Sequence, residues 1–176
     1  EELGHDLALA VRIAASGRPG PVHLSLPSAV LEETVENTAN IWPQKAEFIP
    51  SEQPLSDVAA DATIVALSIA KRPLILVGPH LCTTSGKEMQ GSLQTKLNVP
   101  VVGMESPRGL NDPCLGAFSE ELQNADLLVL LGKPLDFTLK FGDAPAVNTD
   151  CKFVVLDPDI DLIERVSSNK GARLIH

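Results

Sequence analysis

The sequence predicts an α/β fold: a doubly wound, mostly parallel sheet with helices on both faces, in three layers. Short apolar runs alternate with segments of helical periodicity, which is the pattern of strands joined by crossover helices. The run Leu127–Leu131 is apolar throughout, as in a strand buried on both faces. Aromatic residues make up only 3% of the 176 residues, so packing depends on Ala, Val, Leu and Ile, which suit such a sheet.

Residues 3–16 are predicted to form a helix, because their apolar positions share one face at helical spacing. Those positions are Leu3, Leu7, Val11 and Ala14. Gly17 and the prolines after it end the helix, and residues 22–26 predict a short buried strand. Residues 32–54 show no periodicity and are rich in Pro, Glu and Asn, so they are predicted to be a linker.

The second part opens with a predicted helix over residues 55–71. Its apolar stripe consists of Leu55, Val58, Ala62, Val65 and Ile69. Strands are predicted at residues 74–77, 99–102, 127–131 and 153–156, with a last strand beginning at 172–175. Helices are predicted after a capping box at Ser85–Glu88, at 119–124 and at 161–166. Residues 1–31 therefore read as the end of one domain, and residues 55–176 as a second, Rossmann-like domain.

The strand ends are the places to look for chemistry, because open parallel sheets bind ligands outside the carboxyl ends of their strands. Three of the four strands are followed by glycine, at Gly78, Gly103 and Gly132, and the fourth by Asp157. Glycine lets backbone amides approach a phosphate, and a carboxylate at a strand end can hold ribose hydroxyls. This is a nucleotide-site layout. The alternative is that these glycines only turn the chain and the aspartates cap helices.

Several other functions are excluded by composition and motif. A net charge of −9 argues against nucleic acid or an anionic membrane as a partner. Three scattered cysteines favour neither a zinc site nor a disulfide framework, and they suit a reducing cytoplasm, with an organelle as the alternative. No P-loop and no Gly-x-Gly-x-x-Gly occurs. Arg108 and Lys133 are anion-binding candidates with a solvated surface role as the alternative, and a lone His80 favours a structural role over catalysis.

Four segments together carry a resemblance to a known family, over nearly the whole chain. They are Gly17–Leu24, Arg72–Gly78, Ala125–Gly132 with Leu135-Asp136-Phe137 and Phe141-Gly142, and Val154–Asp157 with Asp159-Ile160. In this order and spacing the chain resembles the thiamine-diphosphate-dependent enzymes of the acetolactate synthase, benzaldehyde lyase, 2-hydroxyacyl-CoA lyase and oxalyl-CoA decarboxylase group. The first segment looks like the end of that group's N-terminal pyrimidine-binding domain. The others look like its central Rossmann-like domain, with residues 137–142 closest to the lyase branch.

The resemblance implies an enzyme that acts on 2-keto acids or 2-hydroxyacyl-CoA through the thiamine ylid. The family's activating glutamate lies in its N-terminal domain, and its Gly-Asp-Gly…Asn segment for magnesium and diphosphate lies in its C-terminal domain. Neither is found in this sequence, so we expect no catalytic or metal-binding residue here and an inactive isolated chain. The resemblance also implies that the missing domains are its partners, in a homodimer or homotetramer.

Some members of the family bind FAD or ADP in the central domain. By family position, the candidate contacts are Gly78, Pro79, His80, Gly103, Met104, Gly132, Lys133, Leu135, Asp136, Asp157 and Ile160. FAD is disfavoured because Pro79 supplies no amide and His80 adds bulk where FAD-binding members carry a run of glycines. ADP or no nucleotide is favoured. The rival hypotheses are a free-standing nucleotide-binding module and a non-catalytic docking subunit.

Overall fold

The computed structural model describes residues 2–35 and 42–175, so part of the predicted linker lies outside it. Two compact units make up the chain, Glu1–Pro54 and Leu55–His176. The helices are α1 (Leu3–Ala15), α2 (Ser28–Glu32), α3 (Asp57–Ile69), α4 (Thr84–Leu97), α5 (Phe118–Asn124) and α6 (Ile160–Lys170). The strands are β1 (Pro73–Val77), β2 (Val101–Gly103), β3 (Leu127–Leu131) and β4 (Lys152–Leu156). None of the described helices is both long and apolar enough to cross a lipid bilayer.

The first unit confirms the predicted helix, but not the face that it buries. Ala8 is fully buried, whereas Leu7 and Val11 of the predicted apolar face are 49% and 42% exposed. The buried side of α1 packs on a 3-10 turn at Lys45–Phe48, where Nδ1 of His5 lies 2.7 Å from a carboxylate oxygen of Glu47. The small Ala8 permits this close packing, and the bulkier residues lie away from it.

The predicted strand at residues 22–26 is wrong. These residues have no regular secondary structure, and all but Leu24 are exposed. An extended segment becomes a strand only when a neighbouring strand satisfies its backbone groups, and within the described residues no such neighbour lies beside this one. After it comes α2, which the sequence analysis missed.

The second unit confirms the predicted fold class. Its four strands form one sheet in the order β2-β1-β3-β4, and every neighbouring pair is parallel. Ile75 of β1 is the register partner of Val101 on one side and of Val129 on the other. Because β2 and β3 flank β1, the chain leaves β1 in one direction and β3 in the other, which makes the β1/β3 junction the topological switch point of the sheet.

Helices cover both faces of this sheet, as the three-layer prediction requires. One face contributes Leu76, Leu128, Leu130 and Phe153 to a core with Phe118 and Leu122 of α5. The other contributes Ile75, Val77, Val129 and Val154 to a core with Ala66 of α3 and Leu97 of α4. Strand side chains alternate between the two faces, and both faces are apolar, which explains the uninterrupted apolar runs in the sequence.

The predicted apolar stripe of α3 does not face the sheet. Thr63 and Ala66 are its buried residues, whereas Val58 and Ile69 of the stripe are 80% and 75% exposed. The helix is apolar around much of its circumference, so periodicity alone could not select the buried side. Small residues on that side let the helix lie close to the sheet.

Two predicted boundaries also change. The N-cap of α4 is Thr83, whose hydroxyl accepts a hydrogen bond from the Gly86 amide at 3.2 Å, so the capping box at Ser85–Glu88 is wrong. The last strand is reduced to one parallel bridge between Leu174 and Phe153, after a 3-10 turn at Gly171–Arg173.

Candidate functional site

The carboxyl ends of the four strands form one continuous row. The first residue after each of three strands donates its amide to the last residue of the neighbouring strand: Met104 to Val77 at 2.9 Å, Gly78 to Leu131 at 3.0 Å, and Gly132 to Leu156 at 2.8 Å. The row is therefore Met104, Gly78, Gly132 and Asp157. Hydrogen bonds of the sheet bring together the four strand ends that the sequence singled out.

At the switch point, Gly78 and Gly132 are in backbone contact. A Cβ on Gly78 would lie 1.8 Å from the Gly132 carbonyl oxygen, so no other residue fits there without movement of the backbone. Gly132 has φ +57°, which also favours glycine. Gly78 is thus required by close packing and Gly132 is favoured by its backbone conformation, which supports the alternative that these glycines only turn the chain. Contact of either with a ligand stays a prediction.

The residues that follow β1 form an exposed turn, whereas those at the end of β2 are half-buried or buried. Pro79 and His80 are exposed in a 3-10 turn at Pro79–Leu81. Gly103 is half-buried, and a Cβ there would lie 3.3 Å from the sulfur of Cys82. Met104 is 3% exposed and belongs to the core, so only its backbone can take part in a site.

The loop after β3 is organised by a buried lysine. Lys133 is 4% exposed, and its Nζ donates to the Pro134 carbonyl at 3.0 Å, to Oδ1 of Asp136 at 3.1 Å and to Oγ1 of Thr138 at 2.8 Å. Asp136 also accepts hydrogen bonds from the Thr138 amide and hydroxyl. These contacts place the lysine charge inside the loop, and a solvated surface role for it is wrong. Leu135 is half-buried against the core.

The charge of Asp136 is held by the same contacts. Burial disfavours its ionised form, but the hydrogen bonds from Thr138 and the positive charge of Lys133 outweigh burial and lower the pKa of Asp136. Thr138 is the residue that the sequence analysis missed. A Cβ on Gly109 would lie 2.2 Å from its carbonyl oxygen, so the loop after β2 packs directly on it. No motif marks a threonine whose role arises from two distant loops.

The β4 end carries the acidic positions. Asp157 is half-buried and accepts a hydrogen bond from the Asp159 amide at 2.9 Å. Asp159 caps α6 by accepting from the amides of Asp161 and Leu162, which confirms the helix-capping alternative for it. Ile160 begins that helix and is 62% exposed. Asp157 is therefore the last member of the row, and Ile160 follows three residues after it.

A catalytic or metal centre is not evident in the part of the chain that the structure describes. Within residues 2–35 and 42–175, no three His, Cys, Asp or Glu side chains come together as metal ligands could. Burial raises the pKa of the Cys82 thiol, and it raises the pKa of Cys151 to about 12, so neither is a thiolate at neutral pH. Arg108 is exposed.

The groups along the row that a ligand could contact are backbone groups, the exposed turn at Pro79–Leu81 and the half-buried Asp157 carboxylate. Beside the row, the Gly132 carbonyl fills the space next to Gly78, and Pro79 has no N–H that could donate to a phosphate. The side chain of Lys133 is occupied within its loop and does not line this surface.

Comparison with known proteins tests the resemblance. No protein-family model matches the chain. It is 31% identical over 161 residues to 2-hydroxyacyl-CoA lyase 1 of Dictyostelium discoideum, covering 85% of this chain and 27% of that protein. It is 30% identical over 163 residues to oxalyl-CoA decarboxylase of Escherichia coli K12, covering 89% and 29%. Acetolactate synthase of Bacillus subtilis is 29% identical over 181 residues, covering 90% and 31%.

The chain is homologous to 2-hydroxyacyl-CoA lyases, oxalyl-CoA decarboxylases and acetolactate synthases. The predicted resemblance is thereby confirmed. A solved structure of a thiamine diphosphate-dependent 4-hydroxybenzoylformate decarboxylase from Rhodococcus jostii RHA1 has the same fold, with a TM-score of 0.57 at 18% identity. That match covers 94% of this chain and 33% of the decarboxylase. The three relatives and the decarboxylase are all much longer than this chain, which spans 27–33% of their length.

Proposed function

We propose that this chain is the central domain, with the end of the preceding domain, of a thiamine-diphosphate-dependent lyase, decarboxylase or acetolactate-synthase-like enzyme. One observation carries the proposal: the relatives align with 84–90% of this chain but with only 26–31% of their own length. A match of that kind is expected of one domain of a multidomain enzyme. The parent enzyme acts on 2-keto acids or 2-hydroxyacyl-CoA as a homodimer or homotetramer.

The described residues support a scaffold role within that enzyme. They hold no metal-ligand cluster, burial raises the pKa of the Cys82 and Cys151 thiols, and Lys133 and Asp136 are paired with each other. The parent's thiamine diphosphate and magnesium are therefore bound outside this chain. When bound there, thiamine diphosphate supplies the electron sink for decarboxylation or C–C cleavage. This chain supplies a rigid sheet between the two catalytic domains.

The experiment begins with the reading frame on both sides of this segment. We expect an upstream domain with an activating glutamate and a downstream Gly-Asp-Gly…Asn. The full-length protein, supplied with thiamine diphosphate and Mg²⁺, should turn over a 2-keto acid or a 2-hydroxyacyl-CoA, and the 176-residue chain should not. A stop codon on each side of the segment would contradict the proposal and favour a binding or docking module.

Two variants of the full-length protein then locate the chemistry. Replacing the aspartate of the downstream Gly-Asp-Gly by asparagine should abolish turnover. The His80→Ala variant should retain kcat/KM within about twofold, because a group remote from the reacting atoms contributes no transition-state stabilisation. A large loss of kcat in His80→Ala would place catalysis at the strand ends of this domain instead.

We further propose that the row of strand ends binds ADP and not FAD. Its support is the exposed turn at Pro79–Leu81 beside the row and the half-buried Asp157 carboxylate at its end, which could hold the ribose of an adenine nucleotide, whereas His80 adds bulk where the larger FAD would have to pass. Calorimetric titration of the full-length protein should detect ADP binding and no FAD binding. Asp157→Ala should weaken ADP binding about tenfold, the cost of a lost hydrogen bond to a charged group, whereas Asp161→Asn should not. Binding of neither nucleotide would leave the domain as a scaffold alone.

A further inference from the structure

Helix α3 has a second apolar face, which the sheet does not bury. Its buried side is formed by Thr63 and Ala66, and Ala66 belongs to the core on one face of the sheet. Val58, Val65 and Ile69 are more than half exposed. At about 100° per residue, these three positions fall within about 40° of one another around the helix, so they form one outer stripe. A contiguous apolar stripe on the surface marks an interaction site, unlike a single exposed residue.

The spacing of this stripe fits a second helix as its partner. Leu55, just before the helix, and Ala62 extend the stripe, so that its members follow one another at intervals of three, four, three and four residues. Alternating intervals of three and four place apolar side chains in one line along a helix, which is the seam of two helices that pack side by side. Ala62, at the centre of the row, is its smallest member and permits a close approach of the partner.

Charges at the two ends of α3 select the partner and its direction. Asp57 lies in the first turn, and Lys71 and Arg72 come soon after the last turn; all three are exposed. Two copies of α3 that lie antiparallel bring the acidic end of each helix beside the basic end of the other. Parallel copies would bring like charges together, which is unfavourable. The helix is therefore complementary in charge to a second copy of itself that runs in the opposite direction.

We infer that the outer stripe of α3 is an interface between two copies of this protein, in which the two helices pack antiparallel about a two-fold axis near Ala62. In that arrangement Val58 of one copy meets Val65 of the other, and Leu55 meets Ile69. Each contact is made twice, as a two-fold interface requires.

The size of this interface sets its expected strength. A single helix pair is small beside the roughly 1,200–2,000 Å² of a stable complex, so the isolated chain should exchange between monomer and dimer as its concentration changes. The inference rests on the homo-oligomer of the proposed function and names a surface for it. Its tests measure association and not turnover, so a failure here would leave the enzyme proposal standing.

The first test places a charge in the stripe. Val65→Asp should weaken self-association of the 176-residue chain by more than about a hundredfold, because each dimer would bury two unpaired carboxylates. Ile64→Asp is the matched control: Ile64 is 54% exposed and Val65 56%, but Ile64 lies about 100° away from Val65 around the helix. Sedimentation velocity over a range of concentrations measures the association, and circular dichroism verifies that both variants are folded.

The same two variants of the full-length protein should differ in the same way. A wild-type protein that stays monomeric at every concentration, or equal effects of the two variants on association, would overturn the inference. So would a Val65→Asp variant that lowers the melting temperature of the full-length protein without changing its mass in solution, since another domain of the same chain would then cover the stripe.

The second test leaves the stripe intact and reads the direction of pairing. Asp57→Lys and Lys71→Glu should each weaken self-association about tenfold at low salt, because each replaces two attractive contacts by repulsive ones. An equimolar mixture of the two variants should recover the wild-type affinity, since each then supplies the charge that the other lacks. Glu88→Lys and Lys96→Glu, both exposed on α4, are the controls and should leave association unchanged, alone or mixed. A mixture that associates no better than either variant alone would refute the pairing of α3 with α3.

Discussion

Helix α1 in the first unit and strand β3 in the second are both rich in large apolar residues, yet they differ in burial. Five large apolar residues of α1 are 37–55% exposed, namely Leu3, Leu7, Leu9, Val11 and Ile13. Four consecutive residues of β3, Leu127 to Leu130, are at most 2% exposed. The difference lies in the layers around each element, because β3 has a strand on each side and packed residues on each face. Apolar sequence marks what can be buried, and neighbouring elements decide what is buried.

The difference in burial between the two units is tested most directly by removing one large side chain from each and measuring the loss of stability. Phe153→Ala should lower the free energy of unfolding by about 3–5 kcal/mol, because it leaves a cavity beside the fully buried centre of the sheet. Leu7→Ala should lower it by less than about 0.5 kcal/mol, since Leu7 is half exposed. Urea denaturation followed by circular dichroism measures both. Equal losses would mean that the first unit has a core as demanding as the second.

The next largest loss of stability is expected from a substitution at the backbone contact between Gly78 and Gly132. Gly78→Ala should cost about 3 kcal/mol or more, because its Cβ would overlap a carbonyl oxygen that belongs to the sheet itself. Gly91→Ala is the matched control: no atom lies within 4 Å of its Cβ position, and in the interior of α4 alanine should stabilise by about 0.5–1 kcal/mol. A harmless Gly78→Ala would show that the strand ends can separate to admit a ligand.

The buried network after β3 should be less costly to remove than the core. Lys133→Ala should lower the free energy of unfolding by about 2 kcal/mol, because Asp136 and Thr138 lose a charged partner in a buried loop. Lys140→Ala, an exposed lysine of the same loop, is the control and should change stability by less than about 0.5 kcal/mol. Thermal unfolding at pH 7 separates the two variants. A neutral Lys133→Ala would mean that the loop keeps its conformation through its apolar contacts alone.

The smallest expected effect is on the pH dependence of stability, to which Asp136 of this network should contribute. Asp136 has a lowered pKa in the folded protein, so its stabilising contribution is complete above the unfolded-state pKa and is lost as the pH falls through the folded-state pKa. Asp136→Asn should therefore reduce stability at neutral pH and flatten its decline below about pH 4. Asp61→Asn on the exposed side of α3 should leave that decline as it is. Melting temperatures between pH 2.5 and pH 7 would reveal parallel curves if Asp136 were not involved.

Periodicity identified most elements because it reports local preference and burial together. The alternation of apolar runs and helices gave all four parallel strands and the helices of the second unit, with shifts of a few residues at their ends. It failed where a partner decided the outcome. Residues 22–26 are apolar enough for a strand but have no strand beside them, and the last strand is reduced to the bridge at Leu174.

The candidate site divides in the same way. Parallel strands must end at one edge, so the sequence alone could place Gly78, Gly132 and Asp157 together. It could not show that Gly78 and Gly132 touch, because that contact joins loops far apart in the chain. Nor could it show that Lys133 is buried with Thr138, because local pattern does not specify how the loop after β3 folds.

The sequence by itself determined the fold class and the row of strand ends, because both follow from local pattern and strand direction, and its motifs carried the resemblance that the relatives confirm. Tertiary structure decided which faces are buried, that Gly78 is required by close packing and that Lys133 is buried in its loop. The physical reason is that burial and close approach are properties of pairs of surfaces. A single segment carries the capacity for such contacts, and only its neighbours determine which of them form.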